Sequence, residues 1–120
     1  MSDPILASNQ MVQILQYTVD SLDSAQQQTA NNIANNDTPN YIDQEVSFEQ
    51  SLQQALESPD GGTATTTLVT SGNPVGTNGN NVDLTQELTD AQQETLQYSA
   101  AVSALNYQFN LDSGVLGGNF

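Results

Sequence analysis

From Leu84 to Phe109, apolar and small residues recur at spacings that alternate between four and three: Leu84, Leu88, Ala91, Thr95, Tyr98, Val102, Leu105 and Phe109. A strand turns its side chains over every second residue, so this stripe fits no sheet face and specifies a long amphipathic α-helix. Asp83 precedes it as an N-cap, and Gln86 and Glu87 fall in the first turn, where the helix dipole favours acidic groups. Gly114, Gly117 and Gly118 mark its expected end. A second stripe opens the chain: Ile5, Ser8, Val12, Leu15, Val19, Leu22, Gln26, Thr29 and Ile33. It follows Asp3-Pro4, a good N-cap and N1 pair, is apolar up to Leu22, and turns polar through Gln26 and Thr29. Asn31-Asn32, Asn35-Asn36 and then Asp37-Thr38-Pro39-Asn40 end it in a turn. Each helix should be roughly 45 Å long at about 1.5 Å per residue.

The segment between them is short and irregular. Ser47 and Gln50 have capping-box spacing, and Phe48, Leu52, Ala55 and Leu56 share one face, which predicts a third helix over Ser47–Glu57. Ser58–Asn81 holds five Gly, two Pro, six Thr and four Asn. Its β-branched stretch Thr63–Thr70 could form one short strand or half of a hairpin. The expected fold is mainly α: terminal helices paired as a coiled-coil-like hairpin, a short third helix, and a Gly/Thr/Asn-rich middle with at most a short β element. The divisions are 1–36, an N-terminal axial helix; 37–81, turn, short helix and flexible middle; and 82–120, the C-terminal axial helix and tail. Two such helices bury little core on their own, which points to assembly with other subunits.

Charge narrows the function. The 120 residues include fourteen Asp and Glu but no Lys, Arg, His or Cys, giving a formal net charge of −14. Gln (15) and Asn (13) supply 28 positions, as though long polar residues had replaced the bases. Without Lys and Arg the chain lacks the groups that neutralise phosphates, which excludes nucleic-acid binding and attachment to anionic membrane surfaces. Without His, Cys or Lys there is no zinc finger, triad, thiol nucleophile or Schiff base. No apolar run approaches the roughly 18 residues of a membrane span, so no membrane insertion is expected. The N-terminal residues lack the charged and apolar regions of a cleavable signal peptide, which leaves a non-classical export route. Asp37, Asp43, Glu45 and Glu49 lie within thirteen residues, yet without an aromatic platform or a calcium-loop pattern they read as solvated charge. Neither enzyme activity, nor a metal, nor a cofactor is expected.

Two blocks carry a family signature. Ala30-Asn31-Asn32-Ile33-Ala34-Asn35, followed by Thr38-Pro39 and Tyr41, resembles the pattern A-N-N-[IL]-A-N-x-x-T-P-G-[YF] of the bacterial flagellar rod and hook axial proteins. Asn40 stands where Gly is usual, and Ile42 where a basic residue is common. Asn tolerates left-handed φ better than most residues, so the turn can survive the first change. Asn80-Asn81-Val82-Asp83-Leu84, continuing through Glu87-Leu88 to Tyr98, Ala101, Val102, Leu105 and Phe109, is similar to the small proximal rod proteins of that family. Large hook and distal-rod insertions cannot fit in 120 residues. With their flanking helices the blocks cover most of the chain outside Ser58–Asn78.

The resemblance implies a structural subunit of the proximal rod, assembling helically into the periplasmic shaft that transmits motor torque for motility. It also implies export by the flagellar type III apparatus without a cleaved signal, and the partners are other rod proteins, further copies of itself, and membrane-ring/rod junction proteins. Asn side chains can cap carbonyls and bridge backbones, so the motif could interlock subunits. The alternative is a soluble acidic helical adaptor or chaperone for a basic partner, which would need neither block. An acidic surrounding is one explanation for the missing bases. At about pH 2–3 the acids are mostly protonated and the chain carries almost no charge, whereas a base-rich protein would repel itself.

Overall fold

In the computed structural model, the described residues are 4–48, 50, 53 and 67–117, with side chains described between Gln10 and Leu111. The first helix, α1, spans Pro4–Ala34. The cap proposed at Asp3 and the side chains of Ile5 and Ser8 lie outside the described residues. At its C-terminal end the Asn35 amide is shared between Asn31 O (3.1 Å) and Asn32 O (3.2 Å), and Asn36 N bonds Ile33 O at 3.2 Å. Side chains take the same carbonyls: Asn35 Nδ2 donates to Asn31 O at 2.8 Å and Asn36 Nδ2 to Ile33 O at 2.6 Å. The Asn cluster therefore ends α1 by adding side-chain donors to carbonyls that already accept a backbone amide, a local alternative to continuing the helix.

Next comes β1, Gln44–Ser47, paired antiparallel with β2, Thr67–Thr70, in the register Gln44↔Thr70 to Ser47↔Thr67. The β-branched stretch thus yields a strand over its second half; Thr63–Thr66 lie outside the described residues. Its partner was not anticipated, because Gln-Glu-Val-Ser has no strand pattern of its own and becomes one only through pairing. Of the helix expected over Ser47–Glu57, Ser47 instead ends β1, held there by pairing with Thr67; Phe48, Gln50 and Gln53 are helical, and the remaining residues lie outside the described ones.

The second long helix, α2, spans Leu84–Gly117. Asp83 caps it, its Oδ1 accepting from Gln86 N at 3.2 Å. The helix runs through Gly114 to Gly117. One glycine costs a propagating helix only about 1 kcal/mol relative to Ala, too little to stop it.

Helices α1 and α2 run antiparallel, as three cross-links show. Gln26 Nε2 donates to Thr95 Oγ1 (3.4 Å), Thr29 Oγ1 to Glu94 Oε1 (2.6 Å), and Asn32 Nδ2 to Glu87 Oε2 (3.3 Å). The packed face of α1 is Ser21, Leu22, Ala25, Thr29 and Asn32, close to its predicted seam. Val12, Leu15, Val19 and Ile33 are half-buried.

On α2 the packed face differs from the apolar stripe. Glu87 and Ala101 are buried, and Ala91, Tyr98, Val102 and Leu105 are half-buried. Leu84, Leu88 and Phe109 stand outward at 42%, 51% and 43% exposure. At about 100° per residue, the stripe is rotated by about 70° from the Glu87–Glu94–Ala101 face. Among the described residues the buried apolar set is only Leu22, Ala25 and Ala101, while the largest fully buried side chains are Glu87, Asn32, Asp43 and Ser21. The body measures 63 × 27 × 17 Å with a radius of gyration of 18.1 Å. A compact chain of this length would have about 14 Å. Among the described residues no helix is long and apolar enough to cross a membrane.

Candidate functional site

The two sequence blocks meet where α1 ends and α2 begins. Asn40 adopts the left-handed conformation, φ 64°, so the residue that replaces the usual Gly keeps the turn. Its amide donates to Asn78 O at 3.0 Å. Opposite it, Gly79 has φ +80°, and a Cβ there would run into the Asn40 side chain. Asn80 then reaches back across the turn: Nδ2 donates to Asn35 O and Thr38 O, both at 2.8 Å, while Oδ1 accepts from Val82 N at 2.8 Å. Asn81 continues the seam, its amide donating to Tyr41 O (3.3 Å), its Oδ1 accepting from Asp43 N (2.6 Å) and its Nδ2 donating to Asn73 O (3.2 Å). Both asparagines are buried, and the side-chain nitrogen and oxygen of each are matched to backbone groups around the turn.

Asn32 is the hub, only 1% exposed. Its Nδ2 donates to Gln44 O (2.8 Å) and Glu87 Oε2 (3.3 Å). Its Oδ1 accepts from Tyr41 OH (2.9 Å), Gln28 Nε2 (3.1 Å) and Gln44 N (3.4 Å). One amide thus ties α1 to the turn, to β1 and to the first turn of α2. An Asp here would lose both donated bonds and a Leu all five, so the chemistry requires an amide.

Beside this hub lie acids with no base to pair them. Asp43 is 0% exposed and Glu87 1%, and Asp43 Oδ1, Asp43 Oδ2 and Glu87 Oε1 have no hydrogen-bond partner. One carboxylate oxygen each from Asp43, Glu45 and Glu87 lie within 4.8 Å of one another. Burial, and after it the adjacent Asp43 carboxylate, pushes Glu87 up to about 8; the Asn32 amide opposes the shift and Asp90 adds to it. Glu87 sits where the helix dipole favours a carboxylate by about 0.3–1 kcal/mol. The upward shift shows that burial and repulsion outweigh that. Burial followed by the charge of Asp43 also raises Asp90, Glu45 and Tyr41. Burial raises Glu94 as well, against the Thr29 hydrogen bond. The reading of Asp43 as solvated charge is therefore corrected: pairing of β1 with β2 and the Asn81 tether close over it. Asp37 is exposed as expected, Glu45 is half-buried, and Glu49 lies outside the described residues.

No protein-family model matches the chain. It is 32% identical to the flagellar basal body rod protein FlgB of Bacillus subtilis, over 89% of this chain and 93% of that protein. The chain belongs to the FlgB family of flagellar rod proteins.

In this FlgB-family chain the first block divides into two faces. Asn32 is buried and Ile33, Asn35 and Tyr41 are half-buried, whereas Ala30, Asn31, Ala34, Thr38 and Pro39 face outward. In the second block Asn80 and Asn81 are buried, Val82 is half-buried, and Asp83 and Leu84 are exposed. The buried asparagines bond backbone groups of the turn and its neighbours within one chain: Asn32 those of Gln44, Asn80 those of Asn35, Thr38 and Val82, and Asn81 those of Asp43 and Asn73. Sequence reasoning missed Glu87 as a buried group and missed its closeness to Asp43. Only the second block's proximity to the first could have suggested it, since nothing local distinguishes Glu87 from a solvated first-turn acid.

Proposed function

We propose that the chain is a structural subunit of the proximal flagellar rod, assembling helically into the shaft that transmits motor torque. The observation that supports this reading is the outward part of the α2 stripe: the polar signature residues are used inside the chain, and Leu84, Leu88 and Phe109 of the stripe stand at 42–51% exposure, with Leu96 and Tyr107 exposed on another side of the helix. Apolar positions kept in register along a long helix, yet turned away from its intramolecular partner, suit a neighbouring helix in a tube wall. The proposed neighbours are further copies of the chain, other rod proteins and the membrane-ring/rod junction, in the basal body's periplasmic section. The proposed route there is the flagellar type III export apparatus, without a cleaved signal. Subunits that each carry −14 and no basic side chain cannot form side-chain ion pairs with one another. Contacts between copies would then rest on apolar stripes and Asn/Gln hydrogen bonds.

Deletion tests the reading. In a strain lacking its own copy, the full chain should restore rod assembly and swimming, and chains lacking residues 1–22 or 96–120 should not. Normal motility from either deletion overturns the proposal.

A further inference from the structure

The buried acids at the junction are not explained by the assembly reading. Asp43 lies just before β1, Glu45 within it and Glu87 in the first turn of α2, and three oxygens of Asp43 and Glu87 are buried without a partner. Such oxygens need a positive or hydrogen-bonding counterpart, and the chain has no Lys, Arg or His to supply one. A proton shared between Asp43 and Glu87 would satisfy two of the three orphan oxygens and leave one Asp43 oxygen unmatched. A cation can meet one oxygen from each of Asp43 and Glu87 and one from Glu45, and it offsets the negative charge that all three carry. From these positions we infer that Asp43, Glu45 and Glu87 form a binding site for a hard divalent cation, best suited to Ca²⁺, which clasps β1 to the start of α2.

The chemistry of the donors selects the metal. All three are carboxylate oxygens, with no nitrogen or sulfur ligand to favour zinc, copper or nickel. Ca²⁺ takes six to eight oxygens at about 2.3–2.6 Å, so ligands on opposite sides of it are about 4.8 Å apart. The three oxygens here lie within that span. Mg²⁺, with bonds of about 2.0–2.1 Å, demands a near-ideal octahedron and keeps most of its water, which suits three carboxylates from separate elements less well than the adaptable Ca²⁺ shell. Water can complete the shell through the adjoining cleft of about 140 Å³, which Glu45, Glu87, Asp90, Glu94, Gln28 and Thr29 help to line. Asn32 steadies one ligand from behind: its amide holds Glu87 Oε2 at 3.3 Å, so Oε1 is the oxygen left for the ion. The ligands are 42 residues apart along the chain between Glu45 and Glu87, which is why no calcium-loop pattern appears in the sequence.

This inference does not depend on the rod reading and is tested on the isolated full-length chain. After removal of divalent ions with EDTA, CaCl₂ is titrated at pH 7.5 and heat and helical circular dichroism are recorded against NaCl of equal ionic strength. Saturable binding in the range of about 10⁻⁴–10⁻³ M, as for weak extracellular modules, with a raised thermal midpoint is expected. MnCl₂ as a paramagnetic probe should broaden backbone resonances of residues 43–45 and 87 before any others. Asp43→Asn should abolish the Ca²⁺ response; should that variant fail to fold, Glu45→Gln, at the half-buried edge, should weaken binding at least tenfold. Equal effects of CaCl₂ and NaCl overturn the site, as does a Ca²⁺ response unchanged in Glu45→Gln. Stabilisation by acid in EDTA with none from CaCl₂ at pH 7.5 would assign the pair to a shared proton and overturn it too.

Discussion

The junction of the two signature blocks and the outer face of α2 exchange the usual roles of interior and surface. At the junction the buried side chains are Asn32, Asp43, Asn80, Asn81 and Glu87; along α2 the exposed ones include Leu84, Leu88, Leu96, Tyr107 and Phe109. An isolated globular chain would be expected to do the reverse. The contrast indicates that the two regions answer to different requirements. The junction matches individual backbone groups with amides, which specifies one geometry and contributes modest net energy. The outward part of the stripe, Leu84, Leu88 and Phe109, has area but no matching partner among the described residues. Substitutions in the two regions should therefore separate folding from assembly.

The largest effect on folding is expected at the hub. Asn32→Ala removes the donor to Gln44 O and Glu87 Oε2 and the acceptor for Tyr41 OH, Gln28 Nε2 and Gln44 N. Leaving several buried groups unsatisfied should cost about 3 kcal/mol, read from urea unfolding of the full chain. An effect below about 1 kcal/mol would mean that water replaces the amide and that the junction is not the organising element.

Acidity should act next, and in a direction fixed by the buried acids. A carboxyl whose pKa is higher in the folded chain than in the unfolded one holds its proton more tightly when folded. Stability from Glu87 is then fully present below its ordinary value of 4.5 and is lost as the pH rises toward about 8. Glu45, Asp90 and Glu94 shift in the same direction. With EDTA present, the unfolding free energy should fall steadily from pH 4.5 to 8, by at most about 1.4 kcal/mol per pH unit for each group, and the thermal midpoint should fall with it. Glu87→Gln should raise the unfolding free energy at pH 8 by about 1–2 kcal/mol, read from urea unfolding, and leave it unchanged near pH 4. That trend has the sign expected for a chain suited to acidic surroundings, the setting proposed for its missing bases.

Much of this architecture was legible in the sequence. The Asp83 cap, the 3.5-residue period of both ends and the Asn-rich stop of α1 are local features, and local patterns survive into structure. The Asn40 substitution was legible too, because αL tolerance belongs to the residue itself. The burial of Asp43 and Glu87 was not, since 44 positions separate them and neither neighbourhood is apolar. Nor was β1 legible, a strand with one aliphatic residue that exists through its pairing with β2. The rotation of the apolar stripe off the packed face was hidden for another reason. Periodicity reveals that a helix has a face but not which neighbour it meets, and here the intramolecular neighbour takes the Glu87–Glu94–Ala101 face.

A smaller effect on folding, but a sharply local one, is expected where Asn40 meets Gly79. Gly79→Ala places a Cβ against Asn40 at a φ that side chains rarely adopt, and should destabilise by about 2 kcal/mol. Asn40→Gly should cost less than about 1 kcal/mol, because it keeps the left-handed turn and loses only chain stiffness. The double variant should be more stable than the sum of the singles by about 1 kcal/mol in a double-mutant cycle. Strict additivity would show that the strain at Gly79 lies in its own backbone and not in the crossing of the two blocks.

The smallest effect on the chain alone belongs to the outer stripe, and it sharpens the comparison most. Leu84 and Leu88 are 42% and 51% exposed, so replacing both with Ser removes little buried area and should change unfolding by no more than about 0.5 kcal/mol each. In the rod the same two residues would be covered. If each loses about 100 Å² of apolar surface to a neighbour, the pair contributes about 5 kcal/mol to that contact at about 25 cal/mol per Å², before the cost of ordering is subtracted. The Leu84→Ser/Leu88→Ser chain should therefore fold and be exported normally yet fail to restore swimming. Control substitutions at Gln92 and Gln97, exposed polar positions of α2, should leave swimming intact. Full swimming by the double variant would mean that the outward stripe is surplus to assembly, and would leave the outward-facing residues of the first block, Ala30, Asn31, Ala34, Thr38 and Pro39, as the surface to test.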